Sequence, residues 1–218
     1  MSDIFREVDE DVRRDKAAEF WSQYQTYVYV AAALIVLATA GYRFYDYRRT
    51  VSAEAAGAAF QQALKLDAEG KTVDAKTSFA QLQNEAPAGY RVLARFAEAA
   101  AVVKNDPKAG AEAYDALAND SSVDPLFREA ARLRAALARM DAGDVTGAKG
   151  ALETLASPTA TYRNTARLAL GALALKDKDY KAAGTWLDQV VADPQAPQTE
   201  RASAETLLGV VASNAPAK

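Results

Sequence analysis

The sequence predicts an all-α protein: one apolar N-terminal helix followed by a row of helical hairpins. Three observations lead to this prediction. Residues 20–42 carry no Lys, Arg, Asp or Glu, similar helix openings recur at separations of 37 and 35 residues, and no segment alternates convincingly like a β-strand. Half of the residues are hydrophobic and a quarter are charged, which is typical of a folded chain.

The composition also limits the chemistry that the chain is able to perform. It contains no Cys and no His, which excludes disulfides, thiolate zinc sites and Ser-His-Asp catalysis. The carboxylates of Glu98, Asp115, Glu129 and Asp141 have the spacing of ordinary solvated helix faces. We therefore expect no enzyme, catalytic residue, metal or cofactor, and the net charge of −3 argues against a nucleic-acid partner.

The uncharged stretch predicts a transmembrane helix over residues 21–45. A helix of 23 residues crosses the roughly 30 Å hydrocarbon core of a bilayer. Six of the ten tyrosines and one tryptophan bound its apolar centre, as expected for rings at headgroup level. The membrane-interface anchors that we predict are Trp21, Tyr24, Tyr42, Arg43 and Tyr45.

A cleavable signal peptide is the alternative, because Ala38-Thr39-Ala40 resembles a cleavage site. The preceding tail, residues 1–20, is long and rich in acids, whereas a signal peptide begins with a short basic region. An uncleaved, single-pass anchor therefore fits better. Each side of the apolar centre offers three basic residues, so the charges leave the orientation open.

The tail itself has the apolar spacing of an amphipathic helix, with Ile4, Phe5, Val8 and Val12 on one face. Two interpretations remain open. The more ordinary one is a solvated or membrane-skirting helix, and the other is a docking segment for a partner.

The repeats are visible first in three helix openings. Each opening has an aromatic residue, Arg, two variable residues, Ala, Arg and an apolar residue, beginning at Tyr90, Phe127 and Tyr162. The following helices share a small residue and a large apolar residue four positions later, which is the second-helix half of the tetratricopeptide signature. These pairs are Ala75 and Phe79, Gly110 and Tyr114, Ala148 and Leu152, and Ala182 and Trp186.

These patterns predict a tetratricopeptide-like solenoid over residues 51–212, with four hairpins at 51–87, 88–124, 125–159 and 160–196. A capping helix over residues 199–211 follows, with Ala202, Leu207, Leu208 and Val211 on its buried face, and residues 213–218 form a disordered tail. Gly70 and Gly143 are predicted to end helices in the left-handed region. The predicted N-caps are Thr72, Asp106, Asp144 and Asp179.

Arg95, Arg132 and Arg167 occupy equivalent places in three successive first helices. In a solenoid they align into a strip that binds acidic or C-terminal carboxylate groups of a partner, so they are our candidate protein-binding residues. In the alternative interpretation, each arginine pairs with Glu98, Glu129 or Asp115 and has only a structural role.

Taken together, these features resemble bacterial inner-membrane proteins with one N-terminal transmembrane helix and a periplasmic tetratricopeptide-like domain. The best-studied branch of this family is the ancillary subunit of the SecYEG translocon. The matching residues are the acidic tail ending in Phe20-Trp21 and the exit motif Gly41-Tyr42-Arg43-Phe44-Tyr45. The segment Asp3-Ile4-Phe5-Arg6-Glu7-Val8-Asp9 is similar to the start of alphaproteobacterial members.

The resemblance implies a cytoplasmic N-terminus, an inner-membrane anchor and repeats in the periplasm. It implies a non-catalytic scaffold whose partners are translocon subunits, a membrane-anchored periplasmic chaperone and exported clients. A related branch acts in cell division, so an adaptor in envelope assembly or division is the alternative function.

Overall fold

The computed structural model describes residues 2–214, and it describes side-chain surroundings from residue 13 to residue 214 with the exception of Ala17. Over this part of the chain there are nine α-helices and no strand, so the all-α prediction is confirmed. The helices are α1 (Ser2–Ala68), α2 (Thr72–Glu85), α3 (Ala88–Val103), α4 (Pro107–Asn119), α5 (Pro125–Asp141), α6 (Val145–Leu155), α7 (Arg163–Lys176), α8 (Tyr180–Ala192) and α9 (Gln198–Asn214).

The chain divides into two compact units, Met1–Ala55 and Ala56–Lys218. Helix α1 has no break near residue 20 or between residues 45 and 51, where the sequence suggested separate segments. The predicted face formed by Ile4, Phe5, Val8 and Val12 lies outside the described side chains, as do residues 215–218 of the predicted tail.

The second unit is a row of helical hairpins with a buried apolar core. From α2 to α9, each helix packs against the next one in chain order, and α9 also contacts α7. The first hairpin combines the end of α1 with α2, since Ala56 and Ala63 share a buried cluster with Ala75, Phe79 and Leu82. The three other hairpins are α3 with α4, α5 with α6, and α7 with α8.

A repeated group of large side chains links each hairpin to the next. The ring of Phe60 lies 6.2 Å from Phe79 within the first hairpin and 6.2 Å from Tyr90 at the start of the second. Phe96 repeats this arrangement, with its ring centroid 5.7 Å from Tyr114 and 6.2 Å from Phe127. In the third hairpin, leucines take the place of the first two rings, and Leu133 and Leu152 share a cluster with Tyr162. In the first two hairpins, the large residue of the first helix therefore contacts both its own second helix and the start of the following hairpin.

The small residue of the second helix permits close helix approach. A Cβ atom added to Gly110 would lie 2.2 Å from Val103 Cγ2 and 2.8 Å from the Val103 Cα atom. These distances are far below van der Waals contact, so only glycine fits where α4 passes the end of α3.

The hairpin turns follow the predicted chemistry with one exception. Gly70 and Gly143 have φ angles of 76° and 81° and end their helices in the left-handed region as predicted. Asp106, Asp144 and Asp179 accept hydrogen bonds from the Ala109, Gly147 and Ala182 amides, which confirms three of the four predicted N-caps. Thr72 is not an N-cap, because Lys71 holds that position and Thr72 is the first residue of α2.

The fourth hairpin differs from its predicted register by one residue. The buried side chains of α8 are Ala183, Leu187 and Val190, whereas the sequence pattern pointed to Ala182 and Trp186. Trp186 is only half-buried and packs against the cluster of the third hairpin. The predicted pair is therefore wrong. Trp186, at the edge of the core, and Leu187, in the centre of the core, match the repeat pattern equally well, so the pattern did not distinguish them.

Helix α9 covers the apolar side of α8. Leu207, Leu208 and Val211 pack against Leu187 and Val190, in agreement with the sequence pattern. Ala202 is exposed, and Ala204 is the fully buried alanine of this helix instead. Helix α9 continues through Asn214, two residues into the predicted tail.

Candidate functional site

The three equivalent arginines lie in three different environments. Arg95 is partly buried, and its Nη1 atom lies 2.6 Å from Asp120 Oδ2. Asp120 is the C-cap residue of α4, so this ion pair joins the two helices of the second hairpin. The acid also accepts hydrogen bonds from the amide and hydroxyl of Ser122, at 3.0 and 2.6 Å. Arg95 therefore already has a carboxylate from its own hairpin.

Arg167 is buried and has several partners. Its Nε atom donates to the Ala156 carbonyl at the end of α6, with an N–O distance of 3.2 Å. Its Nη1 atom donates to Asn164 Oδ1 at 3.2 Å and lies 3.5 Å from Asp193 Oδ2. Arg167 thus connects the end of the third hairpin with the fourth, which is a structural arrangement.

Asp193 is the centre of this polar network. It is the C-cap residue of α8 and receives two hydrogen bonds from Arg163, from Nε at 2.6 Å and from Nη2 at 3.2 Å. The amides of Asn164 and Gln195 donate to the same carboxylate. Hydrogen bonds from Arg163 lower the pKa of Asp193 well below its ordinary range, and the same contact raises the pKa of Arg163.

Asp120 holds the equivalent position in the second hairpin, and its pKa is lowered less than that of Asp193. Hydrogen bonds from the Ser122 side chain, and then from Arg95, lower the pKa of Asp120 to about 2. Both acids stand on extended backbone at the end of a second helix, and both accept from the backbone amide two residues later. The second and fourth hairpins therefore share one arrangement, in which an arginine of the first helix binds the acid that ends the second helix.

Arg132 is exposed and lies in a cleft of about 450 Å³. Within the described residues it has no ion pair and no side-chain hydrogen bond to another residue. The cleft is formed by α4, α5, α6 and the segment after α6, and its lining residues are Asp115, Ala118, Asn119, Glu129, Arg132, Arg139, Ala151, Thr154, Leu155 and Ala160. Arg132 is thus the exposed member of the arginine set, and it lines an open cleft.

The acids that the sequence suggested as arginine partners bind other groups. Glu98 accepts from Gln83 Nε2 at 2.6 Å, and Glu129 accepts from the amide and hydroxyl of Thr161. Asp115 forms an ion pair with Arg139. The prediction that the three arginines pair with Glu98, Glu129 or Asp115 is therefore wrong, because these acids bind other residues.

In the first unit, the predicted interface residues lie on α1 and are exposed. Trp21 and Tyr24 are 49% and 41% exposed, whereas Tyr42 and Tyr45 are 69% and 66% exposed. Arg43 is also exposed. The part of α1 from Arg13 to Ala68 contains a window apolar and long enough to cross a membrane, and none of that window is buried inside the protein. A signal sequence has the same properties, so α1 is one candidate apolar helix of either kind.

The comparison with protein families decides the class of this fold. A family model described as a tetratricopeptide repeat-like domain matches residues 18–153, which is more than half of the chain. The chain belongs to the tetratricopeptide repeat-like domain family. No curated protein and no solved structure matches it. The predicted tetratricopeptide-like fold is confirmed at the level of the family.

Tetratricopeptide repeat-like domains are generally non-catalytic scaffolds that bind other proteins. The matched range ends inside α6, and it includes Arg95 and Arg132 but not Arg167. The cleft around Arg132 is our candidate partner-binding site in this tetratricopeptide-like chain, because Arg132 lines it and has no ion pair within the described residues.

Asp120 and Asp193 are the residues that sequence reasoning missed. A usable signal was present, because each acid follows the last residue of a second helix and lies 25 or 26 residues after an arginine of the set. That signal concerns the ends of helices, whereas the tetratricopeptide pattern concerns their apolar faces.

Proposed function

We propose that this protein is a membrane-anchored scaffold whose tetratricopeptide-like repeats bind other proteins through the cleft around Arg132. One observation supports the proposal most strongly. The family that binds proteins through helical repeats is joined, in this chain, to an apolar helix with exposed aromatic rings at both ends of its apolar centre. Such rings prefer the interface between a membrane and water.

The proposal extends to the location and to the partners. As the resemblance to the ancillary translocon subunit implies, residues 21–45 cross the inner membrane, the N-terminus is cytoplasmic and the repeats are periplasmic. The partners are then translocon subunits, a membrane-anchored periplasmic chaperone and exported chains. The support for these assignments is the exit motif at residues 41–45 and the acidic tail that ends in Phe20-Trp21.

Two measurements in bacterial cells test this function. A reporter that is active only outside the cytoplasm, fused after Lys218, should be active if the repeats are periplasmic. A photo-crosslinking amino acid at Thr154, an exposed residue of the cleft, should capture partner proteins. The matched control is the same amino acid at Val73, which is 79% exposed and does not line the cleft.

The expected products at Thr154 are translocon subunits, a chaperone or exported chains. Capture of division or envelope-assembly proteins instead would favour the adaptor function. Equal products at Thr154 and Val73 would show that the cleft is not the binding surface, and an inactive reporter would contradict the proposed topology.

A further inference from the structure

A comparison of the four hairpins isolates one unusual residue. The residue directly before the central apolar side chain of the first helix is Ala59, Arg95, Arg132 or Arg167 in the four hairpins in order. The residue that ends the second helix is Ala86, Asp120, Ala156 or Asp193 in the same order. The two positions are in contact in the second and fourth hairpins, where the arginine and the acid form ion pairs.

The first hairpin lacks both members of this pair, since both positions are alanine. The third hairpin has the arginine without the acid, because Ala156 ends α6. The backbone of Ala156 is also helical, and its carbonyl accepts from Arg167. In the part of the chain that the structure describes, Arg132 is therefore the arginine of this set without a carboxylate.

The remaining charges of the cleft do not replace the missing acid. Both carboxylate oxygens of Glu129 accept hydrogen bonds from Thr161, at 2.6 and 2.8 Å. Asp115 forms an ion pair with Arg139. The cleft volume of about 450 Å³ lies in the range of about 300–1,000 Å³ that is typical of ligand-binding pockets. Among the charged residues that line the cleft, Arg132 is the one without an ion pair or a side-chain hydrogen bond within the described part of the chain.

We propose that Arg132 binds an aspartate side chain on an extended segment of a partner protein, which takes the place of the acid that the third hairpin lacks. The inference deepens the proposed function, because it names the chemistry by which the scaffold recognises its partner. Arginine is suited to this contact, because its planar group forms two parallel hydrogen bonds with a carboxylate.

The two intact pairs define the geometry of the occupant. Asp120 has φ and ψ of −80° and 108°, and Asp193 has −76° and 114°, so both acids stand on extended backbone. Each carboxylate also accepts from the amide two residues later, which fixes its direction. A partner segment with an internal aspartate in the same conformation presents its carboxylate to Arg132 in the same way.

The test uses the full chain in detergent micelles and three labelled peptides. The first peptide has the sequence of residues 116–123, which contains Asp120 in its native context, with a rhodamine label at its N-terminus and an amide at its C-terminus. The second has Asn in place of the aspartate. The third is the Asn peptide with a free C-terminal carboxylate. It tests whether Arg132 binds the end of a chain instead of an aspartate side chain.

Dissociation constants are measured by fluorescence anisotropy, with protein concentrations up to the millimolar range. We expect the aspartate peptide to bind at least about tenfold more tightly than the Asn peptide, because a charge-assisted pair is lost in the latter. Arg132→Gln should abolish this difference. Arg134→Gln is the matched control, since Arg134 is an exposed arginine of the same helix and does not line the cleft.

Equal binding of the aspartate and Asn peptides, equal effects of the two substitutions, or no binding of any peptide would overturn the proposal. Preferential binding of the free C-terminal carboxylate would overturn it too, since the occupant would then be a chain end. Circular dichroism of the Arg132→Gln chain should show unchanged helicity and melting, because the side chain is exposed. If photo-crosslinks from Thr154 persist in Arg132→Gln cells, the scaffold function stands and the aspartate contact fails. If the chain with native Arg132 gives no crosslinks from Thr154, that result would contradict the scaffold function itself.

Discussion

Gly171 of α7 lies directly against Leu187 of α8. A Cβ atom added to this glycine would stand 2.7 Å from Leu187 Cδ2 and 2.8 Å from Leu187 Cγ. Leu187 is fully buried, so its side chain has no free space into which to move. This contact determines the register of the fourth hairpin, because it places Leu187 rather than Trp186 at the close approach of the two helices.

Leu187→Ala should therefore destabilise the protein more than Trp186→Ala. Truncating a fully buried leucine costs about 2–5 kcal/mol of unfolding free energy, owing to lost burial and the resulting cavity. Trp186 is half-buried, and its truncation should cost about 1–2 kcal/mol. Chemical denaturation of both variants, followed by circular dichroism, measures the two values. A larger loss for Trp186→Ala would restore the register suggested by the sequence.

Gly171→Ala provides an independent check of the same contact. The added methyl group overpacks the helix crossing, and we expect a loss of about 1–3 kcal/mol. Gly150→Ala is the matched control, because a Cβ atom at that helical glycine meets no atom within 4 Å. The control substitution should be neutral or stabilising by up to about 1 kcal/mol, since alanine is the better helix former.

The apolar pattern of the sequence predicted most of the fold for a clear physical reason. Spacings of three and four residues place side chains on one helix face, so Ala75, Phe79 and Leu82 are recognisable as a buried face without any structure. The same pattern fails at α8, where Ala182-Ala183 and Trp186-Leu187 satisfy it in two adjacent registers. Contact with Gly171 distinguishes the two, and that contact comes from another helix.

Lys178 is the one described residue other than glycine with a positive φ angle, at 61°. It occupies the turn position that glycine holds in the first and third hairpins. A left-handed conformation costs a residue with a side chain about 1–2 kcal/mol, whereas glycine adopts it freely. Lys178→Gly should therefore stabilise the protein by about 0.5–1 kcal/mol after allowance for the entropy of the unfolded chain.

Gly143→Ala is the reverse substitution in the third hairpin, and it should lower the unfolding free energy by about 1 kcal/mol. Thermal denaturation of the two variants measures both changes in stability, an increase for Lys178→Gly and a decrease for Gly143→Ala. A destabilised Lys178→Gly chain would contradict the assignment of backbone strain to this turn.

The polar site was less predictable than the core. The repeat pattern correctly placed Arg95, Arg132 and Arg167 at equivalent positions, but it did not reveal that each has different neighbours. Those neighbours depend on where the second helix ends and on the backbone conformation there, which is extended at Asp120 and Asp193 and helical at Ala156. The distance along the chain from the arginine position to the end of the second helix differs between repeats, and an apolar pattern carries no information about it.

Asp193→Asn should lower the melting temperature by several degrees. The substitution removes the charge that holds Arg163 and leaves buried Arg167 with a weaker partner. Asp141→Asn is the control, since Asp141 is exposed on α5 and forms no ion pair among the described residues. The control should change the melting temperature by no more than about 2 °C. Similar melting of both variants would show that the network around Asp193 contributes little.

The dependence of stability on pH follows from the same acids. Asp120 and Asp193 have lower pKa values in the folded protein than the ordinary value of about 3.9, so the unfolded chain binds protons first. Their contribution is complete above about pH 5 and is lost as the pH falls toward 2. Because the chain has no histidine, we expect constant stability from pH 5 to 7. In Asp193→Asn the acid decline should be shallower, as urea unfolding at several pH values would show.

Residues 56–218 should form a soluble helical protein on their own. All the buried apolar residues of the described chain lie at or after Ala56, while the large apolar residues between 20 and 47 are exposed. In a phase separation with Triton X-114, the fragment should enter the aqueous phase and the full chain the detergent phase. The control is the full chain with Leu34→Lys and Ile35→Lys, because each lysine at the centre of a membrane helix costs about 2.5–3.5 kcal/mol. This control should partition less into detergent. An aqueous full chain would refute the membrane anchor, and an aggregated fragment would show that the repeats depend on the first unit.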